Sequence, residues 1–236
     1  TPLPQDYHVI SQCASATSRF GFWNLNCFPG IFPPSSGHFL DRPPVRRIIP
    51  EWDLNKVLDL LSSERFQLES CSDFDLLKKT LFLTALATGN RVSELAATTR
   101  HNILLSEHSA TLPVKPGFLF KNQRMGRTPP NIRIHSLMQD GTQHTLCPLA
   151  FLEKYLEKSA HLVKGESLFI NSKTGAPLRS TTISKLIVGL INEACPDVLP
   201  HAHDVRKVAA SLAWARGVSP EEIVKAAFGA FFGFYF

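Results

Sequence analysis

The stretch Ala87–Leu95, ATGNRVSEL, sets a polar knot between two apolar runs. LFLTALA (81–87) leads into it, and Leu95, Ala96 and Ala97 follow. Gly89 can adopt a positive φ and stop the preceding helix. Arg91 then stands at a helix-to-helix corner, fixed by the backbone on both sides. Its planar fork can hold two oxygens of a phosphate, and Glu94, one turn on, can orient it. The plainer alternative is an Arg–Glu pair that only opens a helix.

Upstream, the spacing predicts a helix over 73–88 that is apolar almost all round (Phe74, Leu76, Leu77, Leu81, Phe82, Leu83, Ala85, Leu86) and therefore belongs in the core. A shorter helix over 53–61 carries Leu54, Val57, Leu58 and Leu61 on one face. Residues 1–49 differ: they are rich in proline and carry Phe20, Phe22, Trp23, Phe28 and Phe32 without a helical period. They read as an irregular arm ahead of a folded unit over 50–236.

Downstream, SATLPV (109–114), GFLFKN (117–122) and NIRIHSL (131–137) read as short strands punctuated by Pro and Gly. Helices then resume. Pro148 suits a first helical position ahead of Leu149, Leu152 and Leu156. Ser180 is expected to cap a helix bearing Ile183, Leu186, Ile187, Leu190 and Ile191. A helix over 203–216 buries Val205, Val208, Ala209 and Leu212, with Gly217 as its stop, and Ser219-Pro-Glu-Glu222 reads as a capping box. The expected fold class is mainly α with a small antiparallel β-sheet (α+β).

The formal net charge is +5, a mild excess. Its distribution says more: no acidic residue occurs between His108 and Gln139, whereas Lys115, Lys121, Arg124, Arg127 and Arg133 all fall there. Such a strip suits a phosphate backbone, or is a solvated hairpin. The five cysteines are scattered and form no C-x-x-C pair, which argues against a disulfide framework or a zinc site and for a reducing compartment. The longest apolar run is too short to cross a membrane. Near the C-terminus His203 and Arg206 share one face of a helix's first turn, where the helix dipole favours an anion. Separately they also read as a satisfied histidine and a surface arginine.

In the order Arg91, Lys121, His203-x-x-Arg206, Tyr235, the chain resembles the catalytic domain of the tyrosine recombinases, the phage-integrase-like family, over roughly residues 50–228. The wording LFLTALATGNRVSEL (81–95), FLFKNQ (118–123) and AHDVRKVAASLAWARGVSPEEIVKAA (202–227) is most similar to recombinases of DIRS-like and Crypton-like mobile elements. The resemblance implies that Arg91 and Arg206 neutralise the scissile phosphate and that His203 hydrogen-bonds it. Lys121 would be the general acid, with Lys115 and Arg124 as competitors, and Glu94 would support the site. Tyr235 would attack to give a 3′-phosphotyrosyl enzyme. Because that intermediate keeps the bond energy, the resemblance implies no metal and no other cofactor. It implies double-stranded DNA as partner, contacted by Lys115, Arg124, Arg127 and Arg133, a homo-oligomer on that DNA, no membrane, and action in the nucleus.

The last segment departs from the pattern. FGAFFGFYF (228–236) has Gly229 where the family places a Trp or His, and Tyr235 falls early after Arg206. Three readings follow: a working Tyr235 on a shortened segment, a truncated or altered C-terminus, or a decayed or domesticated DNA-binding protein that does not cut. A fourth, a helical protein–protein scaffold, requires Arg91 and Arg206 to lie far apart.

Overall fold

A computed structural model describes residues 52–121 and 131–223. The arm over 1–49, Arg124, Arg127 and Tyr235 lie outside the described residues.

Helix α1 (Leu54–Ser62) is opened by Asp53, whose side chain accepts the Asn55 N–H, and it buries Val57, Leu58 and Leu61. A 3₁₀ turn (Glu64–Phe66) brings the fully buried Phe66 under the next helix. Helix α2 (Asp73–Thr88) runs as its apolar circumference predicts. Ser72 caps its start by accepting the Asp75 N–H, and Gly89 ends it at φ 61° in the left-handed region. Arg65 pairs with Asp75 at 2.7 Å and with Glu193, tying the start of α2 to a helix far along the chain.

Helix α2 is the hub of the fold. It packs on α4 (Pro148–Ser159), α5 (Ser180–Ala194) and α6 (Asp204–Ala215), and the short helix α3 (Val92–Ala96) packs on α5. Burial on nearly every side beyond its first turn explains the lack of a polar stripe; Phe74, expected in the core, is 48% exposed in that first turn. Several buried polar groups break the apolar pattern, and Lys79 is the most deeply buried charge among them. Lys79, 1% exposed, donates to the carbonyls of Leu61, Phe66 and Thr145 at 2.7, 2.9 and 3.1 Å and lies 3.9 Å from the Phe151 ring centre. Burial lowers its pKa to about 8.

Strands β1 (Leu104–Ser106), β2 (Ser109–Leu112) and β3 (Ile132–His135) form an antiparallel sheet in that order, with Ser109 opposite His135 and Leu112 opposite Ile132. Ala110, Leu112, Ile132 and Ile134 face the core, so the sheet lays one face on α2 and α4. Strand β2 stops before Pro113, which has no N–H to offer a ladder. Of the strand expected at 117–122, the described residues 117–121 form none. Gly117, at φ 78°, and a Phe118 N–H to Lys115 carbonyl bond at 3.1 Å turn the chain instead. Phe118 and Phe120 meet edge to face with ring centres 5.3 Å apart. A second hairpin, β4 (Met138–Gln139) and β5 (Thr142–Gln143), turns on Asp140-Gly141, both at positive φ. That is the pairing a two-residue type I′ turn demands.

Residues 97–100 are clasped on both sides. Thr98 pairs with Val114, Thr99 with Ser167, and the Arg100 N–H donates to the Glu166 carbonyl at 2.7 Å. Ser180 is the first residue of α5 and not its cap; Arg179 holds that position without a side-chain capping bond. The Ser219–Glu222 capping box forms, with the Glu222 N–H donating to Ser219 Oγ at 3.2 Å and the Ser219 N–H donating to Glu222 Oε2 at 3.0 Å.

Candidate active site

The site begins at the end of α2. Gly89 stops the helix, and two residues later Arg91 takes the N-cap position of α3 in an extended conformation. Glu94, third in α3 and 1% exposed, turns back to it: Oε2 accepts the Arg91 backbone N–H at 2.7 Å and Oε1 accepts Nη1 at 2.8 Å. Backbone and side chain of Arg91 are thus held by one carboxylate.

The same carboxylate reaches across the fold. Arg206, on α6 and 8% exposed, places Nη1 3.7 Å from Glu94 Oε2 and donates to the Gly89 carbonyl at 2.6 Å. Two guanidinium groups more than a hundred positions apart in sequence therefore meet on Glu94 and the corner beside it. Burial, and after it the Arg91 charge, pulls the Arg206 pKa below its ordinary value, with Glu94 opposing. An arginine starts so high that it stays charged at neutral pH. The scaffold reading, which separates the two arginines, does not agree with this geometry.

His203 is the N-cap of α6. The residue is exposed, yet partial burial of its ring lowers its pKa, followed by the charges of Arg206, Lys207 and Arg91; Asp204 opposes. The imidazole is accordingly harder to protonate than a free one. Asp204 is buried: Oδ2 accepts the His201 N–H at 2.9 Å and Oδ1 accepts Lys207 Nζ at 2.9 Å. Burial pushes its carboxyl pKa up, but Lys207 and the His201 N–H outweigh that and hold it below the ordinary value.

Arg91, Glu94, His203 and Arg206 are thus brought together. Lys115 lies close by in the fold: its N–H donates to the carbonyl of Ala97, which closes α3, and its Nζ donates to Ser167 Oγ at 2.9 Å. Lys121 is exposed on a turn at the edge of the described residues, not on a strand. Arg133 is exposed on β3, on the face opposite Ile132 and Ile134. Lys207 went unread in the sequence; its only signal was its place one turn after His203.

Chemically, the arrangement suits an anion. Two fixed guanidinium groups and an imidazole at the positive end of a helix suit a phosphoryl group whose charge grows during reaction.

The fold, helical with a small antiparallel sheet, is that of tyrosine-recombinase catalytic domains. The chain is similar to XerH site-specific recombinase in a pre-cleavage complex with its difH substrate (TM-score 0.52, 18% identity, covering 73% of this chain and 44% of that one). It is also similar to XerH in a post-cleavage complex with palindromic difH (0.53, 19%, 75% and 45%), and to XerA recombinase (0.51, 17%, 78% and 57%). This chain spans less than half of the XerH chains and little more than half of XerA. No protein-family model matches the sequence, and no curated protein matches it.

Proposed function

We propose that this protein breaks and rejoins DNA through a 3′-phosphotyrosyl intermediate. The observation that supports it most is Glu94: one buried carboxylate within 4 Å of both Arg91 and Arg206, beside His203. A scaffold has no use for a buried and a half-buried cation converging on a polar corner. A phosphoryl-transfer enzyme needs that arrangement, because charge accumulates on the non-bridging oxygens as the nucleophile attacks.

In this reading the Tyr235 hydroxyl attacks the scissile phosphorus. A new P–O bond forms to the tyrosine, and the bond to the 5′-oxygen breaks. His203 helps to take up the tyrosine proton, while a basic residue of the 115–124 segment protonates the leaving oxygen. Lys121, Lys115 and Arg124 are the candidates, and Lys115 is the one whose ammonium is fixed near α3. Arg91 and Arg206 hold the phosphate throughout, with Glu94 orienting both. Rejoining reverses the steps with a different 5′-hydroxyl.

Double-stranded DNA is the partner in this proposal, contacted by Lys115, Arg124, Arg127 and Arg133, with copies of the chain assembling on it. The wording of the arginine and histidine–arginine motifs supports a finer reading, a recombinase of a DIRS-like or Crypton-like mobile element acting in the nucleus.

The test is capture of a covalent adduct. The full chain, incubated with a supercoiled plasmid library and quenched with detergent, is expected to yield a protein–DNA species that resists denaturation. Arg91→Ala and Arg206→Ala should each reduce it by about 10²–10³, the usual effect of losing one oxyanion partner, and Tyr235→Phe should abolish it. Adduct that survives both arginine changes refutes the proposal. Adduct lost in the arginine variants but kept in Tyr235→Phe assigns another nucleophile.

A further inference from the structure

The first turn of α6 carries two cations, Arg206 and Lys207, against one carboxylate, Asp204. The N-terminus of a helix carries roughly half a positive charge, so anions are stabilised there and cations are not. Yet Lys207, fourth in α6, does not reach away from the helix. Its Nζ bends back to within 2.9 Å of Asp204 Oδ1, which places the ammonium over the first turn. Arg206 is already there beside the His203 imidazole, with Arg91 facing them from α3. The carboxylates in this group are Glu94, buried between the arginines, and Asp204.

Arg206 and Lys207 are adjacent in sequence and diverge around the helix. Arg206 turns inward to Gly89 and Glu94, whereas the Lys207 side chain stays 41% exposed. His203 feels the Lys207 charge more strongly than that of Arg91. The imidazole therefore lies between a buried guanidinium and a surface ammonium. Asp204 is held by the His201 N–H and so fixes where that ammonium sits. A cation kept in place at the unfavourable end of a helix, next to a phosphate site and open to solvent, is prepared for a second anion.

We propose that Lys207 is a further phosphate-contacting residue, taking the DNA phosphate that flanks the one held by Arg91, Arg206 and His203. The inference rests on the DNA-processing reading above. It adds a contact that positions the strand, so its main effect falls on binding and not on the chemical step.

The test measures affinity of the full chain for a short mixed-sequence DNA duplex across a salt series. Each neutralised phosphate contributes about 0.9 to the slope of log K against log salt. Lys207→Met should therefore flatten the slope by about 0.9, while Lys207→Arg, which keeps the charge, should leave it as in the wild type. Lys207→Gln serves if the Met variant does not fold, and thermal unfolding of each variant checks that it does. A steep wild-type slope that Lys207→Met and Lys207→Gln leave unchanged overturns this inference alone and makes Lys207 merely the helical partner of Asp204. A wild type that binds without salt dependence overturns the parent reading as well.

Discussion

Replacing Glu94 with Gln removes one charge and almost no volume. Gln can keep one of the two hydrogen bonds that Arg91 makes to the carboxylate, at 2.7 and 2.8 Å. Its amide then turns an N–H toward a donor, so the other bond is lost, at about 1.5–3 kcal/mol for a charged partner. The attraction to Arg206 at 3.7 Å is lost too, about 4–5 kcal/mol at an effective dielectric near 20. Relief from burying a carboxylate returns several kcal/mol. The net expected loss is about 3 kcal/mol, at the low end for breaking a buried ion pair. In a domain of this size that lowers Tm by about 6–12 °C. Urea unfolding of wild type and Glu94→Gln measures it, and repeating it in phosphate sharpens the result. With the carboxylate neutralised, the two guanidinium groups have more to gain from an anion, so phosphate should stabilise the variant more than the wild type. A loss below about 0.5 kcal/mol, or equal stabilisation of both proteins by phosphate, would refute the view that Glu94 holds the arginines together.

Lys79→Met tests the buried ammonium through pH. Burial holds Lys79 at about 8, and in an unfolded chain it titrates near ~10.4. Between those values the native state has released a proton that the unfolded state still binds, so wild-type stability rises with pH relative to the variant, by about 3 kcal/mol in all; a difference that stays flat from pH 7.5 to 10.5 contradicts the assignment. Gly175→Ala should destabilise by more than about 2 kcal/mol, because Gly175 has φ 69° and an added Cβ would fall 1.8 Å from the Leu162 carbonyl oxygen; a Tm within a degree of wild type would show that the two segments separate freely. Arg91→Ala and Arg206→Ala should be non-additive in stability by about 0.5–3 kcal/mol because they share Glu94, and a double-mutant cycle that sums to zero would deny the coupling.

The parts of the fold that local chemistry dictates were legible in the sequence. Helix α2 runs over its expected residues because Ser72 and Gly89 are strong punctuation and the segment between them is apolar. The α6 helix, the Ser219–Glu222 box and the Arg91–Glu94 pair, three residues apart, are equally local. What escaped depends on distant partners. GFLFKN has strand composition, but Pro113, Pro116 and Gly117 make that region a turn. Asp140-Gly141 is a hairpin signal that went unread because the two strands it joins are only two residues long each. Nothing local marks Lys79 for burial, and only the carbonyls of Leu61, Phe66 and Thr145 show why it is buried. In the candidate site, the pairing of Glu94 with Arg91 was readable. Its second partner, Arg206, was not, because nothing local announces a contact between residues so far apart.

That distance has a consequence for how the protein is made. The Arg206 to Gly89 bond joins positions 117 residues apart. On a ribosome, where domains emerge N-terminal end first, α2, α3 and Glu94 are all synthesised well before α6. Until then Arg91 and Glu94 form only a neutral local pair, and the second guanidinium and the imidazole do not yet exist. On the proposed function, the capacity to grip a phosphate therefore arises late and in one step, when α6 docks. A nascent chain surrounded by ribosomal RNA carries no assembled site with which to seize it.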